Sequence, residues 1–197
     1  MNTMIATLIL LVIILFAITI HEFSHAAAAE LLGDPTPRLA GRLTLNPIKH
    51  IDPIGLLMLL VVKFGWAKPV PINPYNFKDP AKGEMVVSFA GPASNFLAAW
   101  IAAMVIRFFP VNYLTLSSGL FVSALSDFIF INLALAVFNL IPVPPLDGSH
   151  ILEPFIPDEW KRILEQYGFF ILIFILIYPP TAMILMNMIS FIFNLMT

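Results

Sequence analysis

Three long apolar stretches, at roughly residues 3–32, 84–107 and 120–141, and a C-terminal apolar block at roughly 163–196 dominate the sequence. Each reaches the length of about 20 residues that a helix needs to cross the hydrocarbon of a bilayer. In hydrocarbon no water is present to pair with backbone N–H and C=O groups, and a helix pairs them within the segment. Composition agrees: 59% of the 197 residues are hydrophobic and 11% are charged, against about 45–50% and about 25% in soluble domains. The chain is therefore expected to be an all-α polytopic membrane protein. The run from Met1 to Leu32 has no basic leading region and far exceeds the apolar core of a signal peptide, so it is read as a retained spanning helix.

Three core transmembrane helices plus the C-terminal helical block make up this expectation. Pro179-Pro180 interrupts the block; proline removes a backbone donor and clashes with the preceding turn, which leaves one kinked helix or two short ones. Ile54–Val62 is apolar but too short to span, which favours a re-entrant or interfacial element. The Pro- and Asn-rich sequence around it, from Pro35 to Pro80, has strand-like character and suggests a small re-entrant or β-hairpin region. No repeat or flexible linker divides residues 1–197, so a single domain is expected.

Charge sets the orientation. Seven of the ten Lys and Arg residues fall between the first two spans: Arg38, Arg42, Lys49, Lys63, Lys68, Lys78 and Lys82. By the positive-inside rule, residues 33–83 and the region near 158–162 are cytoplasmic, and the N-terminus and the loop near 108–118 are outside. The expected location is the cell membrane, multi-pass. A net charge of -2 gives no basic patch for nucleic acid. With no cysteine, disulfides and thiolate metal sites are excluded, and any metal must be held by nitrogen and oxygen.

Toward its cytoplasmic end the first span carries His21-Glu22-Phe23-Ser24-His25, an H-E-x-x-H pattern. On a helix, residues i and i+4 share a face one turn apart, so two imidazoles can reach one metal while Glu22 reaches a water bound to it. Polar and ionisable groups inside an otherwise apolar helix are costly and mark function. A catalytic zinc takes three protein ligands and keeps one position open. Glu30 points to about the opposite face, Asp34, Asp52 and Asp79 lie in the cytoplasmic stretch, and Asp127 is at the wrong depth. Asp147 follows three prolines that end a spanning helix, and irregular backbone at membrane depth must line protein or a water-filled cavity. Two roles compete for it, metal ligand and N-cap of a helix starting near Ser149; the cost of an unpaired intramembrane acid favours the ligand.

His21–His25 together with Asn139-Leu140-Ile141-Pro142-Val143-Pro144-Pro145-Leu146-Asp147-Gly148 resembles the site-2 protease family of intramembrane metalloproteases. Phe89-Ala90-Gly91-Pro92-Ala93-Ser94-Asn95 is similar to the family's third marker. The resemblance covers most of residues 15–155. It implies one Zn2+ per chain held by His21, His25 and Asp147, Glu22 as general base, and other proteins' transmembrane segments as substrates. The appended PDZ or nucleotide-binding domain of many members has no room here, so a minimal member is implied.

Other polar residues have competing roles. Asn95 could donate from its amide to a developing oxyanion or hydrogen-bond between helices. Asn139 is read as satisfying backbone groups freed by the prolines, and Asn132 as joining helices. His150 is read as supporting the site without binding metal, since a fourth protein ligand would close it, and His50 as a capping or interfacial residue. A helical substrate must be partly extended before it can be cut. Gly65–Asn73, with prolines that bar a central strand, suits an exposed edge that accepts such a segment; Trp66 and Lys68 would equally suit an interfacial anchor. Two other functions use the same residues: a non-proteolytic membrane metal transporter or scaffold, the first opposed by polar residues that gather near one depth and the second by the intact Glu22, and a protease trimming soluble or lipidated termini.

Overall fold

The structure, a computed structural model, describes residues 3–62, 65–108 and 118–197. The first three apolar stretches form α1 (Thr3–Leu31), α4 (Pro80–Phe108) and α5 (Ser118–Asn139). The C-terminal block is two helices, α7 (Asp158–Ile177) and α8 (Pro179–Met196). Tyr178 between them is extended, at φ -73 and ψ 114, because a residue that precedes proline is pushed out of the helical region. Among the described residues four helices, α1, α4, α5 and α8, are long and apolar enough to cross a membrane, as a multi-pass membrane protein requires. Residues 109–117, which hold most of the loop assigned to the outside, lie beyond the described residues, as does Lys63.

α4 is the centre of the bundle and packs against α1 and α5, while α5 also packs on α8. Lipid tails are as apolar as leucine, so helices in a membrane associate through close packing of small residues rather than through hydrophobic burial. Ala99, Ala102 and Ala103 of α4 supply such a surface and meet Ile129, Leu133 and Val137 of α5, with Ile189 and Met196 of α8 completing the cluster. Large apolar side chains such as Phe16, Leu97, Ile101 and Phe121 face outward, where lipid is their natural solvent.

Between α1 and α4 lie the short helices α2 (Thr36–Leu39) and α3 (Pro53–Val62) and two single turns of 3-10 helix, at Pro47–Lys49 and Pro74–Asn76. The ten residues of α3 are too few to span. The expected β-hairpin reduces, among the described residues, to one antiparallel bridge between Ile51 and Ala67, with Lys68 N donating to His50 O at 2.9 Å. Pro69 and Pro71 lack the N–H groups that would carry the ladder further, so 68–73 runs on as extended chain. Its far end is tied down by Asp34, which is fully buried and accepts from Asn73 N at 2.7 Å, Asn76 Nδ2 at 2.7 Å, and both Thr36 N and Thr36 Oγ1. Burial pushes its carboxyl upward, but these four donors outweigh it and hold the pKa below the usual carboxylate value.

After α5 the chain passes through Ile141–Leu146 without regular structure and enters the six-residue helix α6 (Asp147–Leu152). α6 packs on α4. Gly148 permits the sharp return: a Cβ there would sit 2.4 Å from Leu140 O and 2.6 Å from Ile141 O.

Candidate metal centre

Three helices bring His21, His25 and Asp147 together. α1 supplies the two histidines one turn apart, α6 supplies Asp147 from its first residue, and α4 supplies the groups that orient the imidazoles. Nε2 of His21 and Nε2 of His25 are 3.0 Å apart. Asp147 Oδ2 is 3.1 Å from the former, and Oδ1 is 3.3 Å from the latter. One ligand atom from each residue lies within 4.8 Å of the others. Both histidines are buried.

Hydrogen bonding makes Nδ1 of each ring a donor. His25 Nδ1 lies 2.7 Å from Val87 O, a carbonyl that only accepts, so Nδ1 donates. His21 Nδ1 lies 2.7 Å from Asn95 Oδ1. The orientation of that amide is determined by its other end, where Nδ2 donates to Ala17 O at 3.0 Å and to Asn132 Oδ1 at 2.8 Å. Asn132 is oriented in turn by donating from Nδ2 to Phe128 O at 2.9 Å. Two backbone carbonyls thus fix the chain Asn132–Asn95–His21, and His21 Nδ1 is a donor as well. With both imidazoles neutral, each Nε2 presents a lone pair to the same small space, together with the Asp147 carboxylate. Asp147 Oδ2 is buried and has no hydrogen-bond partner.

Lone pairs that converge in a buried space with no proton between them repel one another unless a cation lies among them. Two imidazole nitrogens and one carboxylate oxygen, with a further position open, are a donor set that suits zinc. A carboxamide or carbonyl behind each metal-binding ring is the usual way to fix tautomer and orientation. The same geometry redirects Asn95. Both of its amide hydrogens are committed, to Ala17 and Asn132, so the oxyanion-donor role gives way to that of a buried acceptor that aligns His21. It is fully buried, and the Asn132 partnership accounts for the helix-joining expected of that residue.

Asp147 is not an N-cap: Leu146 occupies the cap position, and Asp147 is already helical. Glu22 is buried beside the histidines and makes no hydrogen bond or ion pair among the described residues. It shares with them a cavity of about 380 Å³, whose wall includes Trp66, Val70, Ser88 and Asn139. Asn139 bonds back to Leu135 O at 2.9 Å within α5. Thr19 and Ser24, the hydroxyl residues nearest the motif on α1, likewise bond to carbonyls of their own helix. His150 faces Glu84 at 3.3 Å and Glu153 at 3.7 Å rather than the three converging groups, and the bond to Glu84 holds its pKa above the ordinary value. His50 is almost completely buried and caps the C-terminus of the Pro47–Lys49 turn, its N–H donating to Pro47 O at 2.9 Å, which is the capping role of the two considered for it.

Gly91 on α4 stands within the third marker, and its role is visible only in three dimensions. A Cβ there would lie 2.4 Å from His25 Nε2 and 2.7 Å from His21 Cε1. The two rings lie against bare backbone. Gly91→Ala raises helix propensity by about 1 kcal/mol, yet it is expected to weaken zinc binding by about 10–100-fold, the usual range when the support of a ligand is disturbed. Zinc titration of the purified variant measures this, and parent affinity would show that the rings have room to spare.

Relatives give the site its context. The model of peptidase family M50 matches residues 113–178, a stretch that includes Asn139–Gly148. "Putative zinc metalloprotease YwhC" of Bacillus subtilis (strain 168) is 37% identical over 187 residues, 92% of this chain and 85% of YwhC. "Putative zinc metalloprotease Rip2" of Mycolicibacterium smegmatis is 33% identical over 174 residues, 84% of this chain and 65% of Rip2. "Zinc metalloprotease MJ0392" of Methanocaldococcus jannaschii is 24% identical over 160 residues, 81% of this chain and 38% of that protein. No solved structure matches the chain. Likeness to YwhC along nearly the whole of both chains, joined to the family match across the Asp147 region, establishes that this membrane protein belongs to peptidase family M50, the site-2 protease family of zinc metalloproteases.

Proposed function

We propose that the protein is an intramembrane endopeptidase that cuts transmembrane segments of other proteins, with zinc held by His21, His25 and Asp147 and with Glu22 as general base. The observation that carries this reading is the convergence of two Nε2 lone pairs and the Asp147 carboxylate beside an unbonded, buried Glu22, in a cavity between apolar spans. When bound, zinc supplies Lewis acidity toward a water and a peptide carbonyl. The Glu22 carboxylate takes a proton from the attacking water and hands it to the leaving amine nitrogen. Asn95 and Val87 O hold the Nδ1 atoms of the two imidazoles and so aim each Nε2 at the metal. The buried walls exclude bulk water, which strengthens each of these interactions.

Substrate uptake is assigned to the extended chain from Trp66 to Ile72, which lines the same cavity. Val70 lies between two prolines, and neither its N–H nor its C=O is hydrogen-bonded among the described residues. An unpaired backbone edge next to the reacting groups is what addition of a substrate strand needs. A spanning helix that has unwound over a few residues regains backbone pairing there.

A panel of purified single-span proteins, incubated with the enzyme with and without a zinc chelator, tests the function. Cuts are expected inside the spans, lost with chelator and restored by added zinc. Cuts confined to soluble tails would establish terminus trimming instead. Orientation has its own test. The chain has no cysteine, so a single cysteine placed at Tyr75, which is 89% exposed, is expected to react with an impermeant thiol reagent only from the cytoplasmic face of the cell membrane. Labelling in intact cells would reverse the assignment.

A further inference from the structure

Arg42 is a cation in an unusual place. It is 4% exposed, and no carboxylate among the described residues pairs with it; Glu22 is the one acid whose charge acts on it, and it does so from a distance. A buried charge is strongly disfavoured unless hydrogen bonds replace its water. Arg42 finds them on uncharged acceptors. Nη1 donates to Pro69 O at 3.0 Å, and Nη2 donates to Lys68 O and, at 3.4 Å, to His50 Nδ1. His50 is able to accept because its Nε2 donates to Thr44 O at 2.7 Å, which leaves Nδ1 with its lone pair. The guanidinium Nε is buried and unpartnered.

Every one of those acceptors belongs to, or is bridged to, the extended chain beside the cavity. Lys68 and Pro69 immediately precede Val70, and Lys68 N is itself bonded to His50 O. Asp34 holds Asn73 N at the other end. Residues 70–72 are thus stretched between two buried charged anchors, one cationic and drawing on carbonyls, one anionic and drawing on N–H groups. A planar fork with donors spaced to meet two consecutive carbonyls at once is particular to arginine; an ammonium offers the charge without the fork.

We propose that Arg42 is a positioning residue for substrate capture: by clamping Lys68 O, Pro69 O and His50, it holds the free backbone edge at Val70 in register with the metal centre. This rests on the strand-addition reading above. Arg42 touches neither substrate nor the reacting groups, so its removal should weaken uptake of an extended segment rather than the chemistry that follows.

A double-mutant cycle tests it. Arg42→Gln, Val70→Pro and the combined variant are assayed in detergent on one spanning substrate, with zinc content measured on each. Val70→Pro is a clean partner because the N–H that it removes makes no bond within the protein. Arg42→Gln and Arg42→Lys are both expected to raise KM by about tenfold or more, the scale for loss of hydrogen bonds to a charged group, with zinc at the parent level. Arg42→Lys keeps the charge that acts on Glu22 and loses the fork, so its kcat should stay within about twofold, and it replaces Arg42→Gln in the cycle if that variant does not fold. The combined variant should be no worse than Val70→Pro alone. A fall in kcat at unchanged KM, parent kinetics in both Arg42 variants, or defects of Arg42 and Val70 that add in full would overturn the clamp while leaving strand addition standing. Parent kinetics in Val70→Pro would instead sink strand addition, and the clamp's purpose with it.

Discussion

Glu22→Gln is expected to bind zinc at the parent stoichiometry and to lose cleavage by about 10²–10⁴-fold, the contribution of a positioned general acid–base group. The amide keeps the shape of the side chain and removes its basicity. Zinc should stay because Glu22 is not one of the three converging groups: the ligand atoms that lie within 4.8 Å of one another belong to His21, His25 and Asp147. The pairing of the two measurements gives the prediction its force. Loss of zinc together with activity would make Glu22 a ligand, and retention of cleavage would remove it from the proton path, leaving the geometry without a base.

His25→Ala combined with Asp147→Ala is expected to take zinc from about one per chain to background, measured by metal analysis of detergent-purified protein. Two of three donors disappear, leaving His21 and water, a set far short of what zinc sites use. The variant also relieves the crowding of lone pairs, so its helices are expected to stay packed: the alanine-rich contact of α4 with α5 lies apart from the site. Full zinc occupancy in this variant would place the metal elsewhere. The cluster of Glu84, His150 and Glu153 is the other group of the described residues with donor atoms close enough to hold an ion.

Much of the architecture was legible as sequence because the bilayer asks one question of each segment, whether about 20 apolar residues run together. α1, α4 and α5 answer it within a few residues of the expected limits, and the break at Pro179-Pro180 follows from a local steric rule. His21, Glu22 and His25 were legible for a similar reason, since helical periodicity alone puts i and i+4 on one face. Asp147 was reached by elimination and by depth. What the sequence did not reveal depends on meetings between distant segments. Asn95 could have been a donor to substrate; only the carbonyls of Ala17 and Phe128, at the ends of its hydrogen-bond chain, turn it into an acceptor for His21. Gly91 reads as a helix weakness until the imidazoles are seen lying on it. Arg42 reads in sequence merely as one positive charge among seven between the first two spans. Of the expected hairpin the described residues show one bridge, Ile51 to Ala67, in keeping with the donors that prolines 69 and 71 withhold from a longer ladder.

The division of the metal centre among α1, α4 and α6 has a consequence for the order of events during synthesis. The two histidines leave the ribosome early, with α1, but the groups that orient their rings follow only with α4, and Asp147 comes about 120 residues after His25. At about 5–20 residues per second the first helix exists for several seconds or more with two of the three donors and without the third. During that interval its imidazoles have no fixed tautomer and no carboxylate opposite them. A nascent chain therefore lacks the full donor set until its third span and the turn after it have been made: the metal centre is a product of the completed bundle rather than of any one segment.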